Sequence, residues 1–412
     1  MSSDWNRREF VRATAAAGLG TLVTARPASA RIVGANDRIR LGAIGTGGRC
    51  QYLLQVLNGL PGNEIVALCD VYQPHLLEAA HLAIDGAGLY SDYRRVLDRP
   101  DVDAVVIGAP DHWHKHLMIA AVAAGKDVYC EKPMTHAIAE GPEIIHAVAA
   151  SDRVVQTGTQ QRSWPHFLLA AQLIDDGVIG QVTFVHTYWY QSYGWQTPAP
   201  RPRQSFDPSL LDTRAWLGSA PPQEVDAEKF RFWRWFWNFG GGNLTDLMTH
   251  WIDMVQLYIH QPAPLAATTV ANNFLHPQWQ CPDTITCALQ YPGSVNVTHT
   301  GAMQSSIDDG GIEVRGTRGT LKIDRQRLVV YPEGIANLPH SNAPEPEIRM
   351  ISERDGTVDH MSNFLDCIRS RKRPNAHVQV GLEAARTAHL GNLALHRGRR
   401  IEWDAATQSV RA

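Results

Sequence analysis

The sequence carries no surplus of positive charge. Its 38 Lys and Arg stand against 41 Asp and Glu, for a net charge of -3. A chain that holds nucleic acid through its phosphates would show a basic excess or a basic stripe, so that class is excluded. No apolar run approaches the roughly 18 residues of a spanning helix, which excludes an integral helical membrane protein. Six cysteines in 412 residues are too few for a disulfide scaffold. What remains is a chain with 44% hydrophobic residues, enough to bury a sizeable core. At roughly 100–200 residues per domain, this length predicts two domains or three. The 12 Trp are the one unusual surplus.

The first thirty residues read as a leader rather than as part of a fold. Arg7-Arg8-Glu9-Phe10-Val11 precedes a short Ala/Gly/Thr-rich stretch, and Ala28-Ser29-Ala30 follows as a small-x-small site. A positive start, a short apolar middle and a small-residue site make an export signal. The paired arginines resemble the bacterial twin-arginine type. The expectation is a signal peptide over residues 1–30, export to the periplasm or beyond through the twin-arginine machinery, and no membrane span in the mature chain. That route carries proteins already folded, so a resident cofactor is expected too.

After the leader, Arg38–Ile44 reads as a buried parallel strand. It enters Gly45-Thr46-Gly47-Gly48-Arg49-Cys50, then a helix from about residue 51, then a second strand over 64–69 that ends at Asp70. This is a βαβ unit with a glycine-rich first turn and a carboxylate some twenty residues on, the pattern of a dinucleotide site. Gly45 allows the tight turn. Gly47, Gly48 and Arg49 face a pyrophosphate at the helix N-terminus. Asp70 receives the ribose hydroxyls. Cys50 stands where a third glycine is usual, which weakens the pattern at that point. No basic residue follows Asp70 over positions 71–74, so NAD is favoured over NADP. Further strands over 103–108 and 127–130 end at Pro110-Asp111-His112-Trp113-His114 and at Glu131-Lys132-Pro133. Ligands bind beyond such strand ends in open parallel sheets. The alternating His112, His114 and His116 could form a metal row on a strand, but the segment starts a helix and no metal site is expected.

The glycine turn, the Pro-Asp-x-x-His segment and above all Glu131-Lys132-Pro133 resemble the Gfo/Idh/MocA oxidoreductases. The resemblance implies an α/β fold: an N-terminal Rossmann NAD-binding domain over residues 36–157 and a C-terminal α+β domain over 158–412 with a large, mostly antiparallel sheet. It also implies that Lys132 lies near the nicotinamide and the reacting hydroxyl, that Pro110, His114, Glu131 and Pro133 border the cofactor, and that Pro133 is cis. In the second half, short strands with turns between them read as an antiparallel sheet. The glycines 240–242 precede a helix carrying Asp246 and His250 at i, i+4, on one face. The resemblance assigns this pair to substrate binding and proton transfer, and His suits a base because it titrates near neutrality. Two readings stay open for the surrounding residues. Gln160-Gln161-Arg162 faces the cleft, with Arg162 either a substrate contact or a structural ion pair. The aromatic run 232–239 packs in the core, with rings such as Trp237, and others over 189–195, lining a sugar pocket. A Cys281–Cys287 bridge is a further alternative after export.

Three functions fit these residues. The first is an exported NAD-dependent oxidoreductase of a sugar, glycoside or polyol hydroxyl, with a tightly retained cofactor. The second is a glycoside hydrolase that oxidises its substrate transiently, eliminates, hydrates and reduces it back. The third is a non-catalytic sugar-binding protein on the same fold. The resemblance also implies self-association through the large sheet, as a homodimer or homotetramer.

Overall fold

The computed structural model describes residues 38–192, 206–332 and 345–411. The expected leader lies outside these residues, as do residues 198–205 of the Pro/Arg-rich loop. Two sheets organise the described chain, one of six strands and one of ten.

The first sheet is built from short apolar strands: β1 (Ile39–Ile44), β2 (Asn63–Cys69), β3 (Gly88–Tyr90), β4 (Ala104–Ile107), β5 (Asp127–Cys130) and β6 (Val155–Thr157). Its order is β3-β2-β1-β4-β5-β6, and its neighbouring strands run parallel. Every residue of β4 and β5 is buried, as strands covered on both faces must be. The order reverses between β1 and β4, where the chain leaves the sheet toward opposite sides; ligand crevices form at such a point. Helix α1 (Gly48–Asn58) follows β1, and α2 (Asp111–Ala123) follows β4. Helix α2 starts five residues earlier than the apolar pattern from His116 predicts. Pro110 occupies its N-cap position and Asp111 opens the first turn, where a carboxylate suits the helix dipole. His112, His114 and His116 are therefore helical, not a strand row.

The second sheet runs in the order β14-β13-β12-β11-β7-β10-β9-β8-β15-β16. Its strands are β7 (Val182–Tyr190), β8 (Ala266–Asn272), β9 (Thr284–Gln290), β10 (Asn296–Ala302), β11 (Gly310–Gly316), β12 (Gly319–Ile323), β13 (Arg327–Pro332), β14 (Ile348–Ile351), β15 (Ile401–Asp404) and β16 (Ser409–Arg411). Strands β7 and β10 pair parallel, and the other neighbours pair antiparallel. Side chains alternate buried and exposed along β9, so one face is packed and the other open. The packed face meets α3 (Thr249–Ile259) and α5 (Val378–Arg397) around a core that includes Trp251, Trp235 and Tyr291.

The halves are not separated as a cut at residue 158 suggests. Helix α4 (Thr357–Ser370) returns to the first sheet, and its Met361, Phe364 and Leu365 share a core with Leu53 and Leu54 of α1. The Thr157 amide donates to the Ala376 carbonyl at 2.8 Å. All six cysteines are free and buried, so Cys281 and Cys287 are thiols rather than a bridge.

Candidate active site

The turn from β1 into α1 sets the geometry of a groove. Gly45 has φ +79, and a Cβ there would stand 2.5 Å from the Ala109 amide nitrogen, so only glycine fits. Gly47 caps α1 in an extended conformation and no side chain caps the helix. The first-turn amides are thus left for an anion. A Cβ on Gly48 would meet nothing within 4 Å, which leaves the approach open. The packing duty of the usual third glycine has moved across the interface. A Cβ on Gly108 would lie 2.8 Å from the Cβ of Cys50, so Gly108 lets α1 sit close on β4 while Cys50 fills the remaining space.

A cavity of about 510 Å3 extends from this turn, lined by Gly45, Gly47, Asp70, His75 and Pro110. The Asp70 carboxylate accepts from the Thr46 amide at 2.6 Å and the Tyr72 amide at 2.8 Å. Burial pushes its carboxyl above the ordinary range, although His75 and these donors pull the other way. Arg94, a basic lining residue that the neighbourhood of Asp70 in sequence does not reveal, is paired with Asp92 at 3.1 Å. An uncapped helix start, open glycines and a carboxylate at the next strand end together fit the pyrophosphate and ribose of NAD. The second half covers this groove. The Asp212 amide donates to the Val71 carbonyl at 2.9 Å, and Trp113 Nε1 donates to the Trp216 carbonyl at 2.9 Å.

The groove continues into a second cavity of about 250 Å3; the two share Gly108, Ala109 and Trp233. Strand β5 delivers Glu131, Lys132 and Pro133 here, and the Lys132–Pro133 bond is cis. His114 on α2 approaches the Pro133 carbonyl with Nδ1 at 2.6 Å and the Ala109 carbonyl with Nε2 at 2.9 Å, which fixes both strand ends. Arg49 pairs with Glu131 at 2.7 Å. Lys132 Nζ donates to Asp246 Oδ1 at 2.6 Å and to the Asp246 carbonyl at 2.7 Å. Arg234 Nε donates to the same Oδ1 at 3.0 Å. Burial pushes the Asp246 carboxyl up, but Lys132 and Arg234 more than offset it and hold the carboxylate ionised. Burial likewise pushes Glu131 up, and Arg49 and Lys132 carry it below its ordinary value.

Asp246 lies in a π-turn over Leu244–Met248 that runs into α3, not in a regular α-helix. It stands behind Lys132 rather than among the cavity's lining residues, whereas His250 lines the cavity. His250 Nδ1 lies 3.3 Å from Gln161 Oε1, and its ring stacks on Trp189 at 5.7 Å and 28°. With the Gln161 oxygen accepting from Nδ1, Nε2 is left as the lone-pair nitrogen. Burial, then Lys132, Arg325 and Arg49, hold the imidazole well below its ordinary pKa, so it is neutral at pH 7.

Of the open readings, Arg162 takes the structural ion pair and Trp237 takes packing rather than the pocket. Arg162 points to Asp253, with Nε 2.8 and 2.9 Å from its two carboxylate oxygens; a fully buried carboxylate holds the guanidinium as a structural pair. Trp237 packs against His396 at 4.3 Å, and Trp233 lines the cavity in its place. The aromatic run passes through a short 3-10 turn over Trp233–Trp235, so its spacing does not follow a helix or strand period. The lining also includes Asp111, Trp233, Arg234 and Arg325, which the sequence does not mark as site residues. Asp111 has a signal, since it opens the helix four residues after the end of β4. Burial, then the Asp246 charge, pushes its carboxyl well above the ordinary range.

Comparison with known proteins agrees with this geometry. Residues 39–159 match the oxidoreductase family with NAD-binding Rossmann fold, and residues 213–322 match the GFO/IDH/MocA C-terminal domain. Inositol 2-dehydrogenase 1 of Saccharopolyspora erythraea is 35% identical over 150 residues, which cover 36% of this chain and 44% of that protein. The chain thus spans less than half the length of this curated relative. Among solved structures, an oxidoreductase domain protein from Kribbella flavida shares the fold with a TM-score of 0.70 at 20% identity, covering 89% of this chain and 99% of that one. A levoglucosan dehydrogenase in complex with NADH and levoglucosan gives 0.70 at 18% identity, with the same coverage. Both halves of the chain match the same two-domain group, and its glycine turn, Glu-Lys-Pro strand end and mostly antiparallel second sheet are in place: the chain belongs to the Gfo/Idh/MocA oxidoreductase family, with an NAD-binding Rossmann domain.

Proposed function

We propose that this protein is an NAD-dependent oxidoreductase acting on a hydroxyl of a sugar, glycoside or polyol. One observation carries the reading: the Lys132 ammonium, anchored 2.6 Å from Asp246, shares a small polar cavity with a neutral His250 at the end of the cofactor groove. Bound NAD supplies a hydride acceptor for the carbinol carbon. Lys132 polarises the hydroxyl oxygen and stabilises the charge that develops on it. His250 Nε2 takes the hydroxyl proton, and the Gln161 oxygen and Trp189 ring hold the imidazole in place. Asp246 positions Lys132. Asp111, whose carboxyl burial and the Asp246 charge push well above the ordinary range, hydrogen-bonds a neighbouring substrate oxygen.

The names of the relatives, inositol and levoglucosan dehydrogenases, support a polyol or anhydrosugar class of substrate. The strap from Asp212 to Trp216 over the groove supports a retained cofactor. The reading also keeps the twin-arginine leader, export, and self-association through the open face of the large sheet, where Thr286, Ala288 and Val270 are exposed. The test is direct. The purified protein, given sugars and polyols, should produce reduced nicotinamide, and Lys132→Ala should lose about 10²–10⁴ of that rate. Full turnover in the variant would refute the assignment.

A second reading has Asp111 in its favour. A carboxyl that burial makes hold its proton more tightly than usual can protonate a departing glycoside oxygen, as transient oxidation and elimination require. Release of the aglycone from an aryl glycoside with no net reduction of NAD would select it.

A further inference from the structure

We propose that the substrate is an acidic sugar whose carboxylate is bound by Arg325. The inference rests on the oxidoreductase reading and narrows its substrate class. Arg325 lies in the turn between β12 and β13 and lines the same cavity as Lys132 and His250. Its guanidinium stands over the rings of Trp189 at 4.9 Å and Trp251 at 5.8 Å. Its Nε is shut away from solvent and makes no hydrogen bond. No carboxylate of the described residues comes within ion-pair distance of it.

The other cations of this wall each have a carboxylate in ion-pair reach. Arg49 has Glu131, while Lys132 and Arg234 share Asp246. The remaining acid of the cavity, Asp111, makes no ion pair with Arg325, and burial and then the Asp246 charge push its carboxyl well above the ordinary range. Among the described residues Arg325 is thus the cation of this cavity with no carboxylate in ion-pair reach, in a wall that already carries more cations than carboxylates, and a guanidinium presents a planar fork that suits a carboxylate. An unpaired guanidinium that is half removed from water is costly to keep, and a ligand anion removes that cost. Trp189 contacts both the Arg325 guanidinium, at 4.9 Å, and the His250 ring, at 5.7 Å, so one ring links the anion site to the base. A cavity of about 250 Å3 suits one sugar unit rather than a chain.

The test uses the full protein saturated with NAD, at fixed ionic strength, with binding followed by the fluorescence of Trp189 and its neighbours. The probes are D-glucuronate, D-galacturonate and D-gluconate, each against its neutral amide, with glucose 6-phosphate as a different anion. At least one acid should bind about 10–100-fold more tightly than its amide. Arg325→Gln should abolish that preference, and Arg325→Lys should keep part of it. Acids and amides that bind alike, or fail to bind alike, overturn the proposal. So does a preference that survives in Arg325→Gln. Tighter binding of glucose 6-phosphate than of every acid overturns the carboxylate assignment. Reduction of NAD by neutral sugars with no preference for acids sinks this inference alone. Acid binding with no reduction of NAD by any probe sinks the oxidoreductase reading instead.

Discussion

Asp246 places two cations on one carboxylate oxygen, so removing its charge strands Lys132 inside the protein. Asp246→Asn should cost about 3–5 kcal/mol of stability, as breaking a buried pair does, and should lower turnover. Adding Lys132→Met should recover part of the stability and none of the activity; denaturant midpoints and initial rates measure both. His250 gives a pH signature. Its imidazole titrates well below the usual histidine value, and a base must be unprotonated to act. The acid limb of kcat/KM should therefore lie below pH 6.5; a limb at or above that value would exclude His250 as the base. At this scale the sequence shows residue identity better than direction. Lys132 and His250 are legible as cavity groups. Arg162 and Trp237 are not, because a buried Asp253 91 residues away and a 3-10 turn decide where they point.

The elements that form the cofactor groove are legible because each is local. Apolar runs mark β1, β2 and β4, and glycines mark the turn between β1 and α1. The π-turn at Asp246 is not, since its residues are ordinary helix formers. The strap over the groove is also hidden, as residues 206–235 have no sustained period. It is held through backbone groups, which gives a specific test. Trp113→Phe removes one of two side-chain partners of the Trp216 carbonyl, the other being His112 Nε2 at 3.0 Å, and with it a bond of about 0.5–1.5 kcal/mol. NAD release should then be about 2–10-fold faster, measured by cofactor lost on dilution. Release at an unchanged rate would show that the strap does not retain the cofactor.

Buried histidines give the whole molecule an acid limit. Burial lowers His112, His360 and His389 to about 4, and His299 to about 3. In the unfolded chain each titrates near 6.5. As pH falls below 6.5 the unfolded state takes up these protons first, so stability is full above that value and is lost toward pH 4. The urea midpoint should drop between pH 7 and pH 5; a constant midpoint would contradict the burial of these rings. The two-layer plan of the molecule is legible from strand patterning, but the return of α4 to the first sheet is not, because nothing in its sequence names a partner 300 residues upstream. That return also has a consequence in time. Strand β6 ends at Thr157 and α4 begins at Thr357, so roughly 200 residues separate the NAD-binding sheet from the helix that completes its core. At about 5–20 residues per second, a ribosome needs some 10–40 s to deliver that helix after the sheet has emerged. Through that interval the nascent half presents Leu53, Leu54 and Leu57 without their cover, a window in which a holding chaperone would find its target and before which the cofactor has no finished seat.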